Sequence, residues 1–118
     1  MKYSELLVWQ KAMNLVTAIY RFTNTFPPGE KFGLIEQLRR VAVSVAANIA
    51  EGHGRKSTKA YVNHLSIANG SLMEVETLLQ IASRLGYLNN TQEREALAET
   101  DEIGKMLSGL RCSLNPRS

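Results

Sequence analysis

Six consecutive residues offer this sequence's best prospect of chemistry: Gly52-His53-Gly54-Arg55-Lys56-Ser57, with Lys59 two positions further on. Glycines at 52 and 54 leave backbone N–H groups open to approach. Arg55, Lys56 and Lys59 add positive charge, and Ser57 stands where it can cap a following helix, whose N-terminal dipole favours an anion. Phosphate is the natural anion. The rival reading is that the glycines only turn the chain and the cations are solvated. The segment is not a nucleotide-binding P-loop, because no glycine directly precedes Lys56 and the pattern leading into it is helical rather than strand-like.

Other routes to catalysis fail on spacing. Metal-carboxylate bundles use Glu-x-x-His pairs, and neither His53 nor His64 has a glutamate three residues before it. Cys112 has no histidine near it in the sequence to act as a base, which leaves it a small packing residue. Glu74 and Glu76 fall on different sides of a helix and cannot converge. Glu74 is better placed to pair with Arg39 or Arg40. Trp9 lies in an apolar stripe and reads as core rather than as a stacking platform. No catalytic residue, cofactor or metal ligand is expected, and an enzyme is not predicted.

The balance of charge agrees with an anionic partner, but only locally. The net charge is +3 over 118 residues. From Lys31 to Lys59 six cations face two anions, a local +4, whereas from Glu93 to Glu102 five anions face one cation, a local −4. The basic centre fits nucleic acid, and the two regions fit each other within or between subunits. A composition of 44% hydrophobic and 21% charged residues is that of a folded soluble protein. No apolar run approaches the roughly 18 residues of a membrane span, and a single cysteine suits a reducing cytoplasm.

Four helical patterns must position these groups. Behind Ser4 as a candidate N-cap, Leu6, Trp9, Met13, Val16 and Tyr20 repeat at three and four residues, with Ala12, Ile19 and Phe26 widening the stripe until Pro27-Pro28-Gly29 breaks it. In the second pattern Leu34, Leu38, Val41, Ala42, Val45 and Ile49 share one face. Gln37, Arg40, Ser44, Asn48 and Glu51 share a flank, a polar network to which Arg39 and Glu74 also belong. The opposite flank, Val43, Ala46 and Ala50, is small or β-branched and predicts close approach of another subunit's helix. Gly52 is read as the left-handed C-cap of this helix. The third pattern runs Tyr61, Leu65, Ala68, Leu72, Val75, Leu79 and Ala82, with Gly70 read as a point of close packing. Gly86 ends it, Asn90 with Glu93 resembles a capping box, and Ala96, Ile103, Leu107, Leu110 and Leu114 follow before Asn115-Pro116. Short connections and no strand-like alternation predict one all-α domain over residues 1–118, an antiparallel up-and-down four-helix bundle.

Several of these segments, in this order, carry a resemblance. Val8-Trp9-Gln10-Lys11-Ala12, Phe26-Pro27 with Glu30, Gln37-Leu38-Arg39-Arg40, Ser44, Asn48-Ile49-Ala50-Glu51-Gly52 and Ala68-x-Gly70-Ser71-Leu72-x-Glu74 resemble the bacterial four-helix-bundle family encoded within intervening sequences of large-subunit ribosomal RNA genes. More distantly, the chain is similar to the accessory variability proteins of diversity-generating retroelements, which bind nucleic acid beside a reverse transcriptase. The resemblance implies a ring-shaped homo-oligomer, a pentamer, with a basic surface, and admits a reverse transcriptase as partner. Taken with the residues, it leads to the expectation of RNA or DNA backbone binding through Arg40, Arg55, Lys56 and Lys59. The alternative is a structural or adaptor protein in which the polar flank holds subunits together.

Overall fold

The computed structural model describes residues 1–114, so the stop at Asn115-Pro116 lies outside the described residues. A 3-10 turn, Tyr3–Glu5, precedes α1 (Leu7–Thr23); a second, Pro28–Glu30, precedes α2 (Leu34–His53); α3 (Thr58–Arg84) and α4 (Asn90–Leu114) complete the fold. Each helix packs on its neighbours in sequence, and α1 on α4 closes the square, while the backbones of the diagonal pairs stay apart. Helices lying side by side across short turns must reverse direction each time, which gives the up-and-down bundle. Its long dimension is 44 Å, close to the roughly 40 Å that 27 residues of α-helix span.

The core phase of α1 differs from the expected stripe. Val8, Ala12, Leu15, Ala18, Ile19 and Phe22 are buried, whereas Met13 and Tyr20 are 39% and 43% exposed. Two apolar repeats run along this helix about 100° apart. The one containing two alanines faces inward because small side chains let α1 seat deeply, and the bulkier repeat is left on the flank. Trp9 is half-buried and meets Tyr3 edge-on with ring centroids 5.3 Å apart. The helix also starts later than Ser4, which lies in the 3-10 turn and accepts from Gln10 Nε2 at 3.1 Å.

In α2, Leu34, Leu38, Ala42, Val45 and Ile49 are buried as the spacing predicts. Ala46 joins them at 5% exposure, so it packs inside its own chain; Val43 is 43% exposed and Ala50 half-buried. Gly52 is not a left-handed cap. It lies within the helix and is buried, and α2 ends two residues later on a right-handed Gly54 (φ −79°). A Cβ at Gly52 would stand 2.7 Å from the His64 Cβ and 3.1 Å from the Tyr61 ring, so the glycine exists to let α3 pass close by. Gly70 shows the reverse: it is exposed, with nothing within 4 Å of a Cβ built there.

Ser57 Oγ accepts from Ala60 N at 3.1 Å and caps α3 as its position predicts. Leu65, Ala68, Leu72, Val75, Leu79 and Ala82 are buried. At the far end Gly86 adopts φ +80°, with Tyr87 N donating to Ala82 O at 2.9 Å and Gly86 N to Ser83 O at 3.0 Å, a Schellman termination. The capping box of α4 sits one residue earlier than Asn90: Asn89 N donates to Gln92 Oε1 at 3.0 Å, and Gln92 N to Asn89 Oδ1 at 2.8 Å. Thr100, absent from the expected stripe, is fully buried among Ala96, Ile103 and Leu107 and donates to the Glu76 carboxylate at 2.8 Å.

The two glycines give opposite predictions in urea unfolding. Gly52→Ala overpacks the α2–α3 seam and should destabilise by about 1–3 kcal/mol. Gly70→Ala removes only the helix penalty of glycine and should stabilise by about 0.5–1 kcal/mol.

Candidate functional site

The turn between α2 and α3 is built by three local decisions. Gly54 ends α2, donating from its N to Ala50 O at 3.2 Å; Arg55 N donates to Gly52 O at 3.0 Å; Ser57 opens α3. Arg55, Lys56 and Lys59 are all exposed and none of them is in an ion pair among the described residues, while His53 stacks edge-on to Tyr61 with centroids 5.8 Å apart. Among the four cations expected at the site, Arg40 alone sits elsewhere. It lies near the start of α2 and pairs with Glu36 at 3.4 Å.

Arg55 is held at the end of a polar chain that threads the α2–α3 seam. Its Nε donates to His64 Nε2 at 3.3 Å. A guanidinium only donates, so His64 Nε2 accepts, the ring proton resides on Nδ1, and Nδ1 donates to Asn48 Oδ1 at 3.0 Å. Asn48 Nδ2 in turn donates to Ser44 O at 2.9 Å and Ser44 Oγ at 3.1 Å, and Ser44 meets Ser71 Oγ at 2.9 Å. Ser44 and Asn48 thus belong to a polar network, as expected, but its other members are His64, Ser71 and Arg55. Gln37, Glu51 and Glu74 stand exposed outside it.

Arg39 belongs to a different network, and Glu74 is not its partner. Its Nε donates to Thr23 Oγ1 at 2.9 Å and its Nη2 to Asn24 Oδ1 at 3.1 Å, which lays the guanidinium 4.5 Å from the centre of the Tyr20 ring. Thr23 is buried and donates in turn to Ile19 O at 2.7 Å. A groove of about 590 Å³ opens beside this stack, between the end of α1, the residue 31–33 corner and α2. Phe32, which the periodicity gave no reason to single out, lines it at 81% exposure. The signal was a phenylalanine outside any helical stripe, directly after Lys31.

At the same end of the bundle Glu30 ties two corners together. It accepts from Leu34 N at 3.2 Å, standing in for the side-chain cap that Gly33 cannot supply, and from the Tyr87 hydroxyl at 2.9 Å. That hydrogen bond, with burial, holds the Tyr87 phenol above its usual range. Burial likewise raises Tyr61 and, against the pull of Arg21 and Lys11, the Glu99 carboxyl. Among the described residues no group of three or more His, Cys, Asp or Glu side chains is placed to hold a metal ion, and no helix is long and apolar enough to cross a membrane.

The sequence matches the family model described as "23S rRNA-intervening sequence protein" over residues 4–109. The fold is similar to a crystal structure from Bacteroides thetaiotaomicron VPI-5482, described as a protein with unknown function from the S23 ribosomal protein family. The TM-score is 0.80 and the identity 26%, over 89% of this chain and 98% of that one. No curated protein matches the sequence.

The adjacent arginines should respond differently to removal. Arg39→Ala strips two side-chain hydrogen bonds and an aromatic contact, leaving a buried threonine oxygen short of a donor, and should cost about 1–2 kcal/mol in thermal or urea unfolding. Arg40→Ala removes one exposed pair and should cost no more than about 0.5 kcal/mol.

Proposed function

The chain belongs to the 23S rRNA-intervening sequence protein family, and on that footing we propose that it is a non-enzymatic, homo-oligomeric helical bundle that binds the backbone of RNA or DNA without strong sequence preference. The observation that carries the reading is the α2–α3 turn. Three exposed cations, Arg55 and Lys56 in it and Lys59 in the first turn of α3, have no ion-pair partner among the described residues, and Arg55 is oriented by His64. Phosphate contacts position a nucleic acid without reading its sequence, and nothing in the bundle resembles a base-reading helix-turn-helix.

Charge is distributed to suit this role. Among the described residues, no ion pair joins the acidic run Glu93 to Glu102 of α4 to a cation between Lys31 and Lys59. An oligomer repeats each cationic turn around its axis. Several weak contacts to one strand then add as avidity, provided the geometry lets them engage together. For the adaptor alternative the polar flank divides: Ser44 and Asn48 find their partners within one subunit, while Gln37, Arg40 and Glu51 stand exposed.

Binding to mixed-sequence RNA and DNA should weaken with log salt by roughly 0.7 to 0.9 in log affinity per phosphate contact. Arg55→Glu with Lys56→Glu should abolish binding while the circular dichroism of the fold is retained. Wild-type protein that binds neither polymer at low salt removes the reading. Light scattering that returns a monomer mass at micromolar concentration removes its oligomeric part.

A further inference from the structure

Apart from the cationic turn, the molecule carries a second surface with the composition of a nucleic-acid platform, at the opposite end of α2. The groove beside Tyr20 and Phe32 is walled by Ile35 and Val43 and rimmed by Lys31, Arg39 and Arg40 against the single carboxylate of Glu36. Its two rings are exposed at 43% and 81%, and each has a cation over its face. The Arg39 guanidinium lies 4.5 Å from the Tyr20 centroid, and the Lys31 ammonium 5.4 Å from that of Phe32. Arg39 is pinned there by Thr23 and Asn24 rather than free to wander, so guanidinium and phenol form one prepared flat surface.

We infer that this groove is a base-stacking site for single-stranded nucleic acid, with Phe32 and the Tyr20–Arg39 stack receiving unpaired bases and Lys31 and Arg40 taking the flanking phosphates. The inference rests on the nucleic-acid reading proposed above and narrows it to strands with accessible bases. Three arguments carry it. Aromatic faces interleaved with cations are the means by which proteins hold single strands without reading sequence, since every base has a π-face. In a duplex those faces are already stacked on one another, so a platform of this kind selects unpaired nucleotides. A volume of about 590 Å³ lies inside the roughly 300–1,000 Å³ typical of sites that enclose small molecules, so the groove has room for a nucleotide-sized group. Its net positive rim, Lys31, Arg39 and Arg40 against Glu36, complements a phosphodiester.

Phe32 is the residue to change, because at 81% exposure its side chain contributes little to the fold. Binding of fluorescein-labelled 20-mers of oligouridylate and oligothymidylate, and of a mixed-sequence RNA duplex, is measured by anisotropy across a salt series. Phe32→Ala should weaken single-strand binding roughly five- to hundredfold and leave the salt slope unchanged, because losing a stacked base releases no counterions. Phe32→Trp should restore the affinity and Phe32→Leu should not, which separates a π-face from simple bulk. By contrast, the Arg55→Glu, Lys56→Glu pair should abolish binding of single strand and duplex alike. Wild-type affinity in Phe32→Ala, or equal weakening for duplex and single strand, overturns the stacking site while the backbone reading stands. A fall in oligomer mass on Phe32→Ala means that a second copy covers the groove, and also overturns it. A wild type that binds none of the probes removes both readings.

Discussion

The close passage of α3 over the end of α2 is the constraint on which the rest of the molecule depends. Gly52 has no side chain because the His64 Cβ stands where one would go. That contact brings His64 within reach of Asn48 on one side and Arg55 on the other. A larger residue at 52 would push the helices apart, stretch the hydrogen bonds that cross the seam, and release the arginine that the turn presents. Packing and surface chemistry are therefore coupled at one atom's worth of space. The polar chain is satisfied from Ser71 through to Arg55, so the half-buried seam carries its hydrogen-bonding groups without leaving them orphaned.

Much of the bundle could be read from periodicity, and the failures have physical causes. The seam of α3 stands out because Leu65, Ala68, Leu72, Val75, Leu79 and Ala82 keep a strict three-four spacing and all are buried, while Ile67, Met73 and Ile81 lie exposed outside it. In α1 apolar residues cover more than half the circumference, so periodicity alone cannot say which of two stripes faces inward; the inward one is set by the depth to which Ala12 and Ala18 let the helix sink. Gly52 and Gly54 look alike in sequence, yet one makes a packing contact and the other a helix end. The difference depends on a helix that arrives from nine or more residues away.

Site residues divide along the same line. The exposed cations of the turn could be found from sequence because their types and spacing are local. The partners of Arg39 could not: Thr23 and Asn24 lie 16 and 15 residues before it. They face it only because the corner at Pro27-Pro28 folds α1 back along α2. Glu74, chosen by charge alone, stands exposed on α3, outside that corner.

Glu30 joins parts of the chain that sequence holds 57 residues apart, since one carboxylate both caps α2 and accepts from Tyr87. Tyr87 is also the last residue of the Schellman turn that ends α3, and its ring lies 5.4 Å from Phe26. Opening either corner therefore means opening both, and amide protons at the start of α2 and at the α3–α4 turn should exchange with solvent as one cooperative unit rather than as two fraying ends. Lys31 and Phe32 follow Glu30 directly, so the lip of the groove is anchored at one end to the carboxylate that both corners share.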